Sequence, residues 1–101
     1  MPIRARDPNR QPERQNAETV AIQALGWIAG DEDRLARFMA LAGLSVDELR
    51  IRAAEPEFLG GVFDFVLNDE TLLLDFAQAC DIKPDALLRL RRHLPGAPVW
   101  D

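Results

Sequence analysis

His93, Cys80 and Ser45 are each the sole residue of their type in a chain of 101 residues, and tyrosine is absent. Nucleophilic catalysis by a Cys–His or Ser–His–Asp set needs its members side by side, with a reactive thiol exposed in an electropositive setting. Ser45 opens the run Ser45-Val-Asp-Glu48, which has the form of a capping box, so its hydroxyl already has a structural use. Cys80 closes an apolar run and reads as a packed thiol. A zinc site of the usual kind takes several Cys or His ligands, and this chain offers one of each. The sequence therefore predicts no catalytic residue, no metal site and no cofactor, and the protein is read as a non-enzyme.

The carboxylates follow the same logic. The pairs Asp31-Glu32 and Asp69-Glu70 sit where two helices should begin, and a helix N-terminus favours both capping side chains and negative charge. Asp64 and Asp75 differ, because each interrupts a highly apolar helix. A buried carboxylate needs an Arg, a backbone N–H or a water; the preferred reading is a narrow solvent-facing strip on each helix. The candidate contact residues are at the other end of the chain. Arg89, Arg91, Arg92 and His93 form a basic helix end suited to an acidic surface or a phosphate, and Trp100 is an apolar tip that could dock on a partner or fold back.

Charge is unevenly distributed. The formal net charge is −5, yet residues 17–82 carry thirteen carboxylates against four arginines, while residues 1–16 and 83–101 are each basic. Such a field repels phosphate backbones over most of the chain and favours basic partners. Residues 35–52 resemble a helix-turn-helix, broken at Gly43-Leu44, but the would-be recognition helix opens with Asp47 and Glu48, which would face phosphates badly. Nucleic acid is thus disfavoured as a partner. No apolar run is long enough to span a bilayer. The single cysteine excludes an internal disulfide framework, and the start lacks the apolar core of a secretory signal, so the expected location is cytoplasmic.

Which elements position these residues follows from periodicity. Residues 1–16 are rich in Pro, Arg, Asn and Gln and predict a flexible basic leader. Residues 17–94 predict a helical domain, and 95–101 a C-terminal tail. Asn16 is placed as the cap of a first helix with Val20, Ala24, Trp27 and Ile28 on one face, stopped by Gly30. Asp31 caps a second helix with Leu35, Phe38, Met39 and Ala42 as its stripe and Arg34 and Arg37 toward water; Gly43 ends it. Ser45 caps a short third helix. Pro56 opens a fourth, Asn68 or Asp69 a fifth, and Pro84 a sixth. Helices four and five are apolar on most sides and are expected to be the buried centre. Period-2 alternation is absent, so no strand is predicted and the fold class is all-α, a compact bundle of about six short helices. Gly60-Gly61 inside the fourth helix reads either as room for a close approach of another helix or as a tolerated kink.

A shift of 38 residues lays the chain over itself. Asp31-Glu32 falls on Asp69-Glu70, Leu35 on Leu73, Phe38 on Phe76, Asp47 on Asp85 and Leu49 on Leu87. The sequence thus predicts two pseudo-repeated three-helix units, each too small to bury its apolar faces alone; two unrelated amphipathic trios aligning loosely is the competing reading.

The runs Ala17-Glu-Thr-Val-Ala-Ile-Gln-Ala-Leu-Gly-Trp27, Arg37-Phe-Met-Ala-Leu-Ala-Gly-Leu44 and Glu57-Phe-Leu-Gly-Gly-Val-Phe-Asp-Phe-Val-Leu-Asn-Asp-Glu70 resemble a bacterial family catalogued as domain of unknown function 3572. The resemblance covers roughly residues 17–94. It implies a small cytoplasmic bacterial protein, and it carries no catalytic residue onto this chain. The functional expectation is a non-enzymatic protein-interaction or regulatory module, with a protein partner or self-association and neither membrane nor metal. The alternative is a nucleic-acid-binding regulator using segment 35–52 or the basic end of the last helix.

Overall fold

The computed structural model describes residues 10–96. Six helices follow one another: α1 (Arg10–Ala29), α2 (Glu32–Ala42), α3 (Val46–Arg52), α4 (Pro56–Leu67), α5 (Glu70–Cys80) and α6 (Pro84–Arg91). Among the described residues there is no strand. The architecture is the expected all-α bundle.

Local chemistry sets most helix boundaries. The Asp31 carboxylate accepts the backbone N–H of Asp33 at 2.9 Å and of Arg34 at 3.1 Å, and the Asp69 carboxylate accepts that of Leu72 at 3.1 Å. Each satisfies donors that the first turn leaves without an intrahelical partner. Ser45 and Glu48 form the full reciprocal box: the Ser45 N–H donates to Glu48 Oε1 at 2.9 Å, and the Glu48 N–H donates to Ser45 Oγ at 3.3 Å. Pro56 and Pro84 open α4 and α6, where the missing N–H costs no intrahelical hydrogen bond and the fixed φ suits the first turn; neither helix has a side-chain cap. α2 and α5 end in left-handed residues, Gly43 (φ 69°) and Asp81 (φ 57°). Glycine adopts that conformation freely, whereas Asp81 does so against its Cβ.

The first helix departs from expectation. It begins at Arg10, so Asn16 lies inside it and is no cap, and residues 10–16 of the expected leader are helical. Pro12 falls in the first turn, where no intrahelical hydrogen bond needs its nitrogen. The remainder of the leader, and the tail beyond Gly96, lie outside the described residues.

The core also has a different axis. Ala17, Val20, Ala21, Ala24 and Ile28 of α1 are all buried, at the i, i+3, i+4, i+7 and i+11 positions of one face. Three of them are alanines, so α1 can approach closely and lies against Leu59, Val62, Phe63 and Val66 of α4. The central pair is α1 with α4, not α4 with α5. α2 packs on α1, α5 on α4, and α6 closes across α1, α4 and α5. Helix α5 contributes Leu72, Phe76 and Ala77 to the interior but exposes Leu74 and Asp75. Hydrophobicity alone pointed to α5; the narrower, smaller-residue stripe of α1 gives the tighter fit.

The 38-residue offset carries the ends of several elements onto one another. Glu32–Ala42 falls on Glu70–Cys80, the last residue of α1 on the last of α4, and the start of α3 on the start of α6. The packing of the two trios differs: Leu87 of α6 is buried, while its counterpart Leu49 is half-buried and α3 buries no residue.

Candidate functional site

The basic end of α6 does not present its four charged residues together. Leu87, Arg91 and Leu94 share the inward face, so Arg91 is 4% exposed. Its guanidinium is turned onto α4 and the chain that follows α6. Nε donates to Asp64 Oδ1 at 2.7 Å and Nη2 donates to Asp64 Oδ2 at 3.1 Å. Nη1 donates to the carbonyls of Leu94 (3.1 Å) and Pro95 (3.3 Å), and Nη2 to that of Gly96 (2.9 Å). A guanidinium has five N–H donors, and here there are five acceptors. Arg91 has no donor left for an external anion. Its role is to anchor the exit of α6, and Asp64 is the partner that a carboxylate inside an apolar helix requires.

Arg89 and Arg92 remain exposed, and His93 is half-buried just beyond α6. His93 Nδ1 stands 4.0 Å from Glu13 Oε1, too far for a hydrogen bond. With Asn16 and Arg89, these residues border a cleft of about 470 Å³ between α1 and α6. Trp100 lies outside the described residues.

The other candidate chemistries resolve into structure. The Ser45 hydroxyl accepts a cap hydrogen bond. Cys80 is half-buried, its Sγ 3.9 Å from the Ala77 carbonyl, and burial pushes the thiol above its usual value and away from reactive thiolate. Asp75 is exposed. Among the described residues no group of three or more His, Cys, Asp or Glu could hold a metal ion, and no helix is long and apolar enough to cross a membrane. The helix-turn-helix-like segment has its turn at Gly43, but α3 presents Asp47 and Glu48 in its first turn, with Arg50 and Arg52 only in its last. Nor are α2's arginines simply solvated. Arg34 lies 3.8 Å above the Trp27 ring and donates to the Trp27 carbonyl at 3.0 Å, while Arg37 donates to Asp69 at 3.0 Å, tying α2 to the start of α5.

Among the described residues, a second, more apolar concavity was not among the residues singled out by type. Because α2 and α4 both lie against α1, a groove is left between them, with a volume of about 390 Å³. Phe38, Phe58 and Phe65 form its wall, with Phe38 edge-on to Phe65 at 5.2 Å and to Phe58 at 5.8 Å. Gly61 is open floor, where an added Cβ would meet nothing within 4 Å. Leu41 stands on the rim at 76% exposure, and Glu57 supplies a negative edge. The signal for it in the sequence was the run Phe58, Gly61, Phe65 at helical spacing, which reads as ordinary core until the position of α2 is known. The neighbouring Gly60 has a different reason to be glycine. A Cβ there would lie 2.7 Å from the Pro95 carbonyl oxygen and 3.2 Å from Arg91 Cζ. The closest approach is by the chain leaving α6, with the Arg91 side chain of α6 itself beside it.

No curated protein and no solved structure matches the chain. The sequence profile of a family described as protein of unknown function (DUF3572) matches residues 14–97, a span that takes in five of the six helices whole and most of α1. The chain therefore belongs to the DUF3572 family.

Proposed function

We propose that the protein is a non-enzymatic interaction module, and that the groove between α2 and α4 is its receiving surface. The observation that carries this reading is the groove wall of half-buried Phe58 and Phe65 over buried Phe38, beside exposed Leu41. Large apolar side chains at a groove edge are the usual anchors of partner recognition. The ligand that fits is a segment with one or two large apolar anchors and a basic flank, because Glu57 edges the groove and residues 17–82 carry a net charge of −9. Ile51, 74% exposed on α3, adds to the apolar surface of the same half of the chain. That surface fits a duplicated trio in which the second copy kept its third helix in the core and the first released it. A lone Cys80, held as a packed thiol, supports a reducing, cytoplasmic setting.

The test compares partners captured by the full chain, by Leu41→Glu and by Arg92→Glu, identified by mass spectrometry. The expected result is a partner lost with Leu41→Glu and retained with Arg92→Glu. Identical partner sets for the three proteins would reject the groove. Loss confined to Arg92→Glu would move the contact to the α6 end.

A further inference from the structure

We propose that the occupant of the groove between α2 and α4 is a second copy of this chain. It inserts the last turn of its α3, with Ile51 as the anchor, and the two copies fill each other's grooves. The proposal rests on the reading of that groove as a receiving surface and names its partner.

The first observation is that α3 lacks a packing partner. Six of its seven residues are exposed, and half-buried Leu49 is its link to the core. A helix of two turns is marginal in water by itself, and helices in proteins are held chiefly by apolar side chains packed against a neighbour. The other large apolar residues of α3 are exposed instead, Ile51 at 74% and Val46 at 51%.

The second observation is complementarity. The groove takes an apolar anchor with a basic flank. Ile51 stands between Arg50 and Arg52 in the last turn of α3, and all three are exposed. Asp47 and Glu48, the carboxylates of α3, belong to its first turn. The groove presents the converse: Phe58 and Phe65 over Phe38, Leu41 on the rim and Glu57 at the edge. A large side chain seated in such a concavity supplies affinity, and opposite charges around it fix register. Arg50 and Arg52 against Glu57 also offset, at the contact, the repulsion between two acidic copies.

The third observation is placement. The lining includes Leu41 and Ala42 at the end of α2 and Glu57 and Phe58 at the start of α4. α3 lies between those two ends, joined to each by three residues, a span of at most about 11 Å. The anchor and the groove therefore adjoin. Among the described residues, none of α3 lines the groove of its own chain. A surface that carries an anchor beside its receptor is self-complementary, and a two-fold axis makes the contact twice. The doubling matters, because one two-turn helix covers less than the about 800 Å² per partner of a standard interface.

The test is sedimentation of the full chain over a concentration series. The expected result is a reversible conversion of the 11.3 kDa monomer into a dimer. Leu41→Glu and Ile51→Glu should each weaken it by roughly tenfold or more. Leu88→Glu, which adds the same charge at an exposed position of α6, should leave it unchanged. The deciding sample is an equal mixture of Leu41→Glu and Ile51→Glu. A mixed pair keeps one intact contact, the α3 of the first chain in the groove of the second, whereas either chain paired with itself keeps none. The mixture should therefore dimerise where the separate variants do not. Should a glutamate unfold the chain, Leu41→Ala and Ile51→Ala allow the same comparison. Deuterium exchange of the α3 amides should slow several-fold as the dimer fills.

A chain that stays monomeric overturns the proposal, and a Leu41-dependent external partner would then leave the groove reading standing. A dimer indifferent to both variants, or lost equally with Leu88→Glu, overturns it. So does a mixture that fails to recover, or a dimer whose α3 exchanges as in the monomer. Loss with Leu41→Glu but not with Ile51→Glu removes α3 as the occupant and keeps the groove. Loss with Ile51→Glu but not with Leu41→Glu rejects the groove itself.

Discussion

Arg91 and Asp64, 27 residues apart, meet in a two-point pair, Nε to Oδ1 at 2.7 Å and Nη2 to Oδ2 at 3.1 Å, and the arginine is the buried partner while the aspartate side chain is 38% exposed. That asymmetry decides what each substitution costs. Removing the arginine side chain frees three backbone carbonyls and the fork that holds the C-terminal end of α6 to α4. Removing the carboxylate leaves a buried cation with three of its five acceptors. Arg91→Ala is expected to lower stability by about 3 kcal/mol, near the lower end for breaking a buried pair, because the freed Asp64 can turn to water. Arg91→Lys should recover little, since an ammonium cannot reproduce the planar fork. Urea unfolding of the three proteins checks both statements.

The two adjacent glycines of α4 should respond to alanine in opposite ways. At Gly60 the new Cβ would lie 2.7 Å from a backbone carbonyl, so Gly60→Ala should cost about 1–3 kcal/mol through a forced shift of the Pro95 segment. At Gly61 the Cβ meets open space, and Gly61→Ala should stabilise the helix by up to about 1 kcal/mol. Paired thermal melts read the difference, and equal effects would contradict the placement of the chain over Gly60.

Asp81 offers a stabilising change. Its φ of 57° puts a β-carbon where the left-handed conformation crowds it, at the position where Gly43 ends α2. Asp81→Gly is expected to gain about 0.5–1 kcal/mol by relieving that strain. The midpoint of denaturant unfolding should rise with no change in slope.

Stability should fall on acidification in a defined window. The Arg34 backbone N–H holds the Asp31 carboxyl below its usual value, the Leu72 N–H and the Arg37 guanidinium do the same for Asp69, and the Ser45 backbone N–H does so for Glu48. A group with a depressed folded-state value stabilises the fold while the unfolded chain is also ionised, and that contribution is lost as pH drops through the folded value. The decline should therefore set in near the ordinary values of 4.5 for Glu48 and 3.8 for the aspartates and continue below them. Asp69→Asn should flatten part of it, which melts between pH 6 and pH 3 would show.

What could be read from the sequence was local. The Asp31, Ser45 and Asp69 caps, the Pro56 and Pro84 starts and the Gly43 stop each depend on two to four neighbouring residues. The start of α1 was not legible, because the polar run before Asn16 gives no apolar stripe to announce a helix. The site was harder still. Arg91 looked like its neighbours Arg89 and Arg92, and only the rotation of α6 against α4 separates a structural arginine from two solvated ones. Phe58 and Phe65 looked like core, because nothing local records that α2 stops short of covering them. Gly60 and Gly61 read alike; the chain returning from α6 is what distinguishes them.

Helix α3 has a consequence for how the molecule comes apart. It buries no residue and reaches the interior only through half-buried Leu49, so its attachment depends largely on the box between Ser45 and Glu48 and on that one side chain. Segments held so lightly open far more often than the whole chain unfolds. Backbone amides of α3 should exchange with deuterium well before those of α1 and α4, and limited trypsin should nick at Arg50 or Arg52 while the flanking helices stay associated.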